Sequence, residues 1–196
     1  YVIRTGEELL DHTHLVFVLR GGVRLVFRDV RRFGHVELVA DGAIESSRSL
    51  RNVGLDARAR GLTAKRLMQI MSGRTAVIKS ALLNQGLVAG LGNIYVCEAL
   101  HRARVHPEVR CNELGEKQWR ALHRAIVKVL DEAIKAEGTT VSDYVTGSGV
   151  PGGFQKRLRV YGREGLRCRR RGCSGTVVRI VQSGRVTFFC PSCQLK

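Results

Sequence analysis

No run of apolar residues in this chain approaches the roughly 18 that a membrane-crossing helix needs, so no transmembrane segment is expected. The first residues, YVIRTGEELLDH, lack the apolar stretch of a secretory signal. These two absences make the cytosol or nucleoid the expected location. Acidic residues are also scarce, 17 Asp+Glu against 33 Lys+Arg, for a formal net charge of +16. From Pro151 onward eleven basic residues stand against one acidic residue, Glu164. Charge of one sign gathered on one module suits a polyanion, above all nucleic acid. A solvated basic surface that only keeps the protein in solution is the alternative, and the focusing at one end counts against it. At 196 residues the chain is one large domain or two small ones.

Four of the six cysteines lie in CRRRGCSGTVVRIVQSGRVTFFCPSCQ, residues 168–194, as two close pairs, Cys168/Cys173 and Cys190/Cys193. Between the pairs, Thr176–Val181 and Arg185–Phe189 are β-rich and meet at Gln182-Ser183-Gly184, which reads as a β-hairpin. The hairpin brings the pairs together, and four thiolates at one point make a tetrahedral Zn²⁺ site. Two disulfides are the alternative. A CPxC turn tied to a second pair across a hairpin, in a chain with no secretory features, favours the metal. Four Cys ligands leave no open position for water, so the zinc is expected to be structural.

Upstream, His14–Arg20 and Val23–Asp29 read as strands joined at Gly21-Gly22, a two-residue hairpin signal, and His35–Ala40 reads as a third strand. Three strands with one apolar face do not close a core alone. The loop Asp29-Val-Arg-Arg-Phe-Gly34 sets two arginines beside an aromatic, which suits phosphate contact and insertion into a base stack; Phe33 reads equally as a core anchor. Ser46–Gly61 reads as a linker. Thr63 then caps a helix to about Ser72 with Leu67 and Ile70 inward, and Val77–Leu83 is a short helix or turn carrying Lys79. In GLVAGLGNIYVCEALHRARVHP, residues 86–107, Asn93 opens a helix with Ile94, Cys97 and Leu100 inward. Asn93 can offer its amide and the nearby free N–H groups to an anion, or simply cap the helix. Cys97 reads as a small buried hydrophobe, and Cys111 has no evident partner. Gly115–Glu137 is the longest helix, with Trp119, Leu122, Ile126, Val129, Leu130, Ala133 and Ile134 on one stripe as scaffold and Gly138 as its stop. Thr139–Leu158, rich in glycine around Pro151, reads as a loop that is either a linker or a lid.

Taken together, DVRRFGH, IKSALLNQGLVAGLGNIYVCEALHRARVHP, the TT…SG…PGGF loop, VYGREG and the ending TFFCPSCQ resemble the formamidopyrimidine-DNA glycosylase/endonuclease VIII group of base-excision repair enzymes, in the family's order over nearly all of the chain. The resemblance implies an α+β multidomain fold: the remainder of an N-terminal antiparallel β-sandwich (1–45), a linker (46–62), a helix–two-turn–helix domain (63–158) with a lesion-capping loop (139–158), and a C-terminal zinc-ribbon finger (159–196). It implies a monomer in a bacterial cytoplasm that binds double-stranded DNA carrying oxidised bases or abasic sites. Lys79, Asn93 and Arg185 would hold phosphates flanking the lesion, with Arg185 also the proton donor in δ-elimination, and His12 and Arg74 would contact DNA. Arg31 would fill the gap left by the flipped base and touch the estranged cytosine, and Phe33 would wedge the stack. The capping loop favours a bifunctional glycosylase/AP lyase that excises 8-oxoguanine and formamidopyrimidines and nicks the abasic strand by β,δ-elimination. An endonuclease VIII-like enzyme for oxidised pyrimidines, or a non-catalytic module that binds damaged DNA, are the alternatives.

Three departures qualify the resemblance. The family's chemistry starts from an N-terminal Pro-Glu, whose secondary amine forms a Schiff base with the deoxyribose; this chain begins Tyr1-Val2. The expectation is therefore a chain that lacks the N-terminal catalytic segment and is inactive alone in base excision. Val30 stands where the family usually has proline, and the first cysteine pair is C-x4-C where C-x2-C is commoner, a spacing that zinc tolerates.

Overall fold

A computed structural model describes residues 1–140 and 151–196. Half of the expected capping loop, residues 141–150, lies outside the described residues. The architecture is mixed α+β: an N-terminal antiparallel sheet, a helical body and a C-terminal hairpin with the four cysteines at its open end.

The sheet has the order β1-β3-β2, from Val2–Arg4, Thr13–Leu19 and Val23–Arg28. Leu19 pairs with Val23, so the β2–β3 loop holds three residues, Arg20–Gly22, and not the expected two. His35–Ala40 is not a strand. Both edges of β3 are already filled, by β1 and β2, and residues 35–40 are tied instead through His35 Nε2 to Ser49 Oγ at 2.6 Å and through Ser49 to Glu37. Of the strands' apolar side chains Val26 is buried, while Leu15, Phe17, Leu19 and Leu25 stay well exposed.

The body starts earlier than expected. Leu55–Asp56 (β4) pairs in parallel with Val88–Ala89 (β5), and Ala57 and Leu62 are buried, so part of 46–62 belongs to the packed structure. Ala64–Met71 (α1) is capped by Thr63 Oγ1, which accepts the Arg66 N–H at 3.1 Å. Leu67 and Met71 face the core, and Ile70 is only half-buried. Ile78–Leu83 (α2) and Asn93–Ala103 (α3) follow, then Glu116–Lys135 (α4), which packs on α1 and α3. Trp119, Leu122, Ile126, Val129, Leu130 and Ala133 make the expected buried stripe; Ile134, expected among them, is 56% exposed. At the start of α3, Gly92 is the cap and Asn93 the first helical residue. Ile94 is half-buried there, and Cys97 and Leu100 are buried.

Val178–Gln182 (β6) and Arg185–Phe189 (β7) form the terminal hairpin around Ser183-Gly184, with φ of +48° and +71°. Two successive positive φ values are what a tight turn matched to the strand twist requires, and glycine meets the second at no steric cost. No helix among the described residues is long and apolar enough to cross a membrane.

Candidate nucleic-acid interface and metal centre

The two cysteine turns meet as the spacing predicts. All four Sγ atoms of Cys168, Cys173, Cys190 and Cys193 lie within 4.8 Å of one another. Cys168–Cys193 and Cys173–Cys190 are 3.9 and 3.7 Å apart, and none of the four is in a disulfide. Ligands about 2.3 Å from a tetrahedral centre sit about 3.8 Å from each other, so the cage has the size of a Zn–S₄ site. Burial raises the Cys168 thiol above its ordinary value and Cys193 to about 12, while the Gly175 N–H lowers Cys173; a bound cation favours the thiolate form. The packing leaves no slack: a Cβ on Gly175 would lie 2.2 Å from Ser192 Oγ and 2.9 Å from Cys190 Sγ. The site is a four-cysteine zinc finger holding one structural Zn²⁺.

The other end of the hairpin meets the helical body. Asn93 Nδ2 and Lys79 Nζ both donate to the carbonyl oxygen of Val186, at 2.9 and 3.2 Å, and Ser80 Oγ lies 3.3 Å from Ser183 Oγ. The side chain of Asn93 thus crosses to the ribbon instead of capping α3, and its buried Oδ1 has no hydrogen-bond partner among the described residues. Lys79 has no exposed surface. Burial draws its ammonium below the ordinary lysine value, the Cys97 thiol acts the other way, and the charge of Arg185 adds to the lowering. Two cations thus converge on one point, Lys79 buried and Arg185 exposed at the tip. Like charges so placed repel until an anion joins them.

The remaining expected contacts lie elsewhere. Arg74 is exposed between α1 and α2, its Nε donating to the Ile70 carbonyl at 3.0 Å, and it shares no hydrogen bond with the trio among the described residues. Arg31 and Phe33 are at one end of the sheet. The Asp29 carboxylate shapes their loop by accepting the N–H groups of Arg31 at 3.1 Å and Gly34 at 2.6 Å, and those bonds, Gly34 first, lower its pKa. The Arg31 guanidinium stands 4.6 Å over the Phe33 ring, a cation–π pair. Phe33 is 77% exposed, so it anchors no core among the described residues. His12, with φ +66°, adjoins the same loop by accepting the Asp29 N–H on its carbonyl at 3.1 Å.

Sequence reasoning named Asn93 and Cys97 but missed His101, Glu98 and Gln194, which also assemble this arrangement. Asn93, Cys97 and His101 are four apart and share one face of α3. Cys97 packs with Phe188 and Val177 of the ribbon, and burial raises its thiol to about 11, so it is an unreactive apolar contact. His101 Nε2 lies 3.3 Å from Cys168 Sγ. Burial, then the charge of Arg170, lowers His101 to about 4, which keeps its ring neutral. The wholly buried Glu98 accepts the N–H groups of Arg159, Val160 and Tyr161 at 2.9–3.0 Å, anchoring the chain as it enters the ribbon. Gln194 bridges Cys190 N and the Val105 carbonyl, each at 2.9 Å. A fully buried carboxylate beside an apolar face was the signal available for Glu98; nothing in the pattern marks the partners of His101.

A basic four-cysteine finger seated along one helix of a helical body defines an α+β zinc-finger class with a helix–two-turn–helix core. Residues 53–145 match the H2TH domain of formamidopyrimidine-DNA glycosylase, and residues 165–195 match a zinc finger found in FPG and IleRS. The chain belongs to the formamidopyrimidine-DNA glycosylase (Fpg/MutM) family. A formamidopyrimidine-DNA glycosylase of Methylobacterium sp. (strain 4-46) is 47% identical over 189 residues, covering 93% of this chain and 64% of the relative. One from Novosphingobium aromaticivorans is 47% identical, covering 96% of this chain and 68% of its own length. The chain thus spans about two thirds of the length of such relatives. Among solved structures, Lactococcus lactis Fpg in complex with DNA containing an abasic site superimposes with a TM-score of 0.89 at 34% identity, covering 100% of this chain and 70% of that one. MutM (Fpg) from Thermus thermophilus gives 0.86 at 40% identity, covering 95% and 70%.

Proposed function

We propose that this chain grips duplex DNA at a damaged or abasic nucleotide, as part of a bifunctional DNA glycosylase/AP lyase that excises 8-oxoguanine and formamidopyrimidines and nicks the abasic strand by β,δ-elimination. The observation that carries the reading is the convergence of Lys79, Asn93 and Arg185 at the hairpin tip, where a phosphate supplies the missing negative charge. In this reading the three hold phosphates flanking the lesion, with Arg74 and His12 on neighbouring backbone. Arg31 fills the space left by the everted base and Phe33 wedges the stack. Its exposure and the stacked guanidinium support that role, and the wedge offsets part of an unstacking cost of a few kcal/mol. Arg185 is also the proton donor in δ-elimination. The oxidised-purine substrate is supported by the names of the relatives and by the L. lactis enzyme crystallised on Fapy-dG DNA.

Zinc takes no part in the chemistry, because four thiolates fill its coordination. Its task is to hold the base of the hairpin so that the tip presents Arg185. Tyr1–Lys196 carries the residues of this DNA grip.

The test is binding. Tyr1–Lys196 is expected to prefer a duplex bearing a stable abasic-site analogue over the undamaged duplex. Equal affinity for both duplexes contradicts the grip on damage.

A further inference from the structure

The ribbon holds α3 at both ends. At the start of the helix, Asn93 bonds the Val186 carbonyl at 2.9 Å. At its end, His101 lies against Cys168, and the Arg170 guanidinium donates to the carbonyls of His101 and, at 3.2 Å, Arg102. The spans agree: Asn93 to His101 covers about 12 Å of helix, and Val186 to Cys190, whose Sγ lies within 4.8 Å of the Cys168 Sγ beside His101, covers about 13 Å of extended chain. The last carbonyls of a helix have no partners within it and carry the negative end of its dipole. The Arg104 N–H already reaches the His101 carbonyl at 3.2 Å; from inside the Cys168–Cys173 turn Arg170 adds a second donor there and supplies one to the Arg102 carbonyl. Its neighbour Arg169 donates to the Leu158 carbonyl at 2.8 Å. The widened four-residue turn therefore sets two of its three arginines on protein carbonyls, although all three belong to the most basic stretch of the chain.

We propose that Arg170 is a positioning residue: it pins the zinc end of the ribbon to the C-terminus of α3, and through the matched spans it sets where the far end holds Val186 and Arg185 against Asn93 and Lys79. It is not a phosphate ligand. The effect on DNA rests on the phosphate role proposed above; the pin itself does not.

The zinc-loaded chain Tyr1–Lys196 is compared with Arg170→Ala, Arg170→Lys, Arg185→Ala and the Arg170→Ala/Arg185→Ala double variant. Without DNA, Arg170→Ala is expected to speed amide exchange at residues 181–187 by on the order of tenfold, the middle of the range for coupled neighbours. Exchange in α4 stays as it was and one zinc remains per chain. Arg170→Lys, which also caps carbonyls, restores most of the protection. Unchanged exchange at the tip overturns the proposal. With an abasic-analogue duplex, Arg170→Ala weakens binding about tenfold and adds nothing in the Arg185→Ala background. A loss that adds in full there, with the salt slope falling by about one further contact, makes Arg170 a phosphate ligand and overturns the positioning role. Should Arg170→Ala release its zinc, Arg170→Gln, which keeps an amide donor for the same carbonyls, carries both readouts. If exchange responds as expected but no variant differs in DNA binding, the phosphate reading fails and the pin stands.

Discussion

The sheet of residues 1–28 and the described part of residues 54–196 are both laddered or helical, but they bury their side chains very differently. In the first region a three-stranded ladder is complete, yet Phe17 is 40% exposed and Leu19 48%. In the second, Trp119 and Leu122 are at most 1% exposed and belong to one continuous core. Among the described residues the hydrogen bonds of 1–53 stay within that segment, while the ribbon is tied to the body through Glu98, Asn93, Arg170 and Gln194. Ladder bonds replace bonds to water and add little net stability; apolar burial supplies most of it. Lys79, Asn93 and Arg185 therefore stand on a packed scaffold. Arg31 and Phe33 depend on a loop held by one carboxylate, Asp29.

The contrast breaks hardest at the metal. Structural zinc in small fingers contributes about 10–16 kcal/mol of apparent binding energy, so chelation or Cys190→Ser is expected to unfold the ribbon and expose α3, while sheet amides exchange as before. Amide exchange alongside zinc analysis by atomic emission checks this; a ribbon that survives zinc loss contradicts it. Paired truncations come next. Trp119→Ala is expected to cost about 3–5 kcal/mol, and Phe17→Ala under about 1 kcal/mol, in urea unfolding. Similar costs would mean the sheet is covered in solution. Glu98→Gln turns an amide toward N–H groups that now meet a carboxylate, and bonds to a charged acceptor are worth about 1.5–3 kcal/mol. The expected result is a destabilisation of about 2 kcal/mol, with faster exchange at residues 159–161.

The smallest effect concerns acid. The hydrogen bond from Arg102 lowers the pKa of Glu132. A lowered carboxyl contributes stability that is complete above its unfolded value, about 4.3, and is lost as pH falls through the lower folded value. Wild type is therefore expected to lose slightly more Tm than Arg102→Met below that point. Parallel curves would remove the pair from the account.

Much of the second region was legible in the sequence. The apolar stripes of α1 and α4, Thr63 as a cap and the cysteine spacing all depend on neighbours near in sequence. The sheet was less so. Residues 35–40 carry strand-like alternation, but His35 and Glu37 are tied to Ser49 and no strand pairs with them, which depends on partners distant in sequence. At the site, the family resemblance picked out Lys79, Asn93 and Arg185. The acceptor that Lys79 and Asn93 share, the Val186 carbonyl beside Arg185, is a backbone atom that no side-chain pattern reveals. Arg170 looked like one basic residue among many because its partners are carbonyls of a helix 68 residues away.

The most direct test of the grip is Arg185→Ala measured on a duplex with a stable abasic-site analogue over a range of salt. Weaker binding, with the slope of log K against log salt reduced by about one phosphate contact, is the predicted result. Unchanged affinity and slope would take Arg185 off the DNA and leave the hairpin tip without its proposed function.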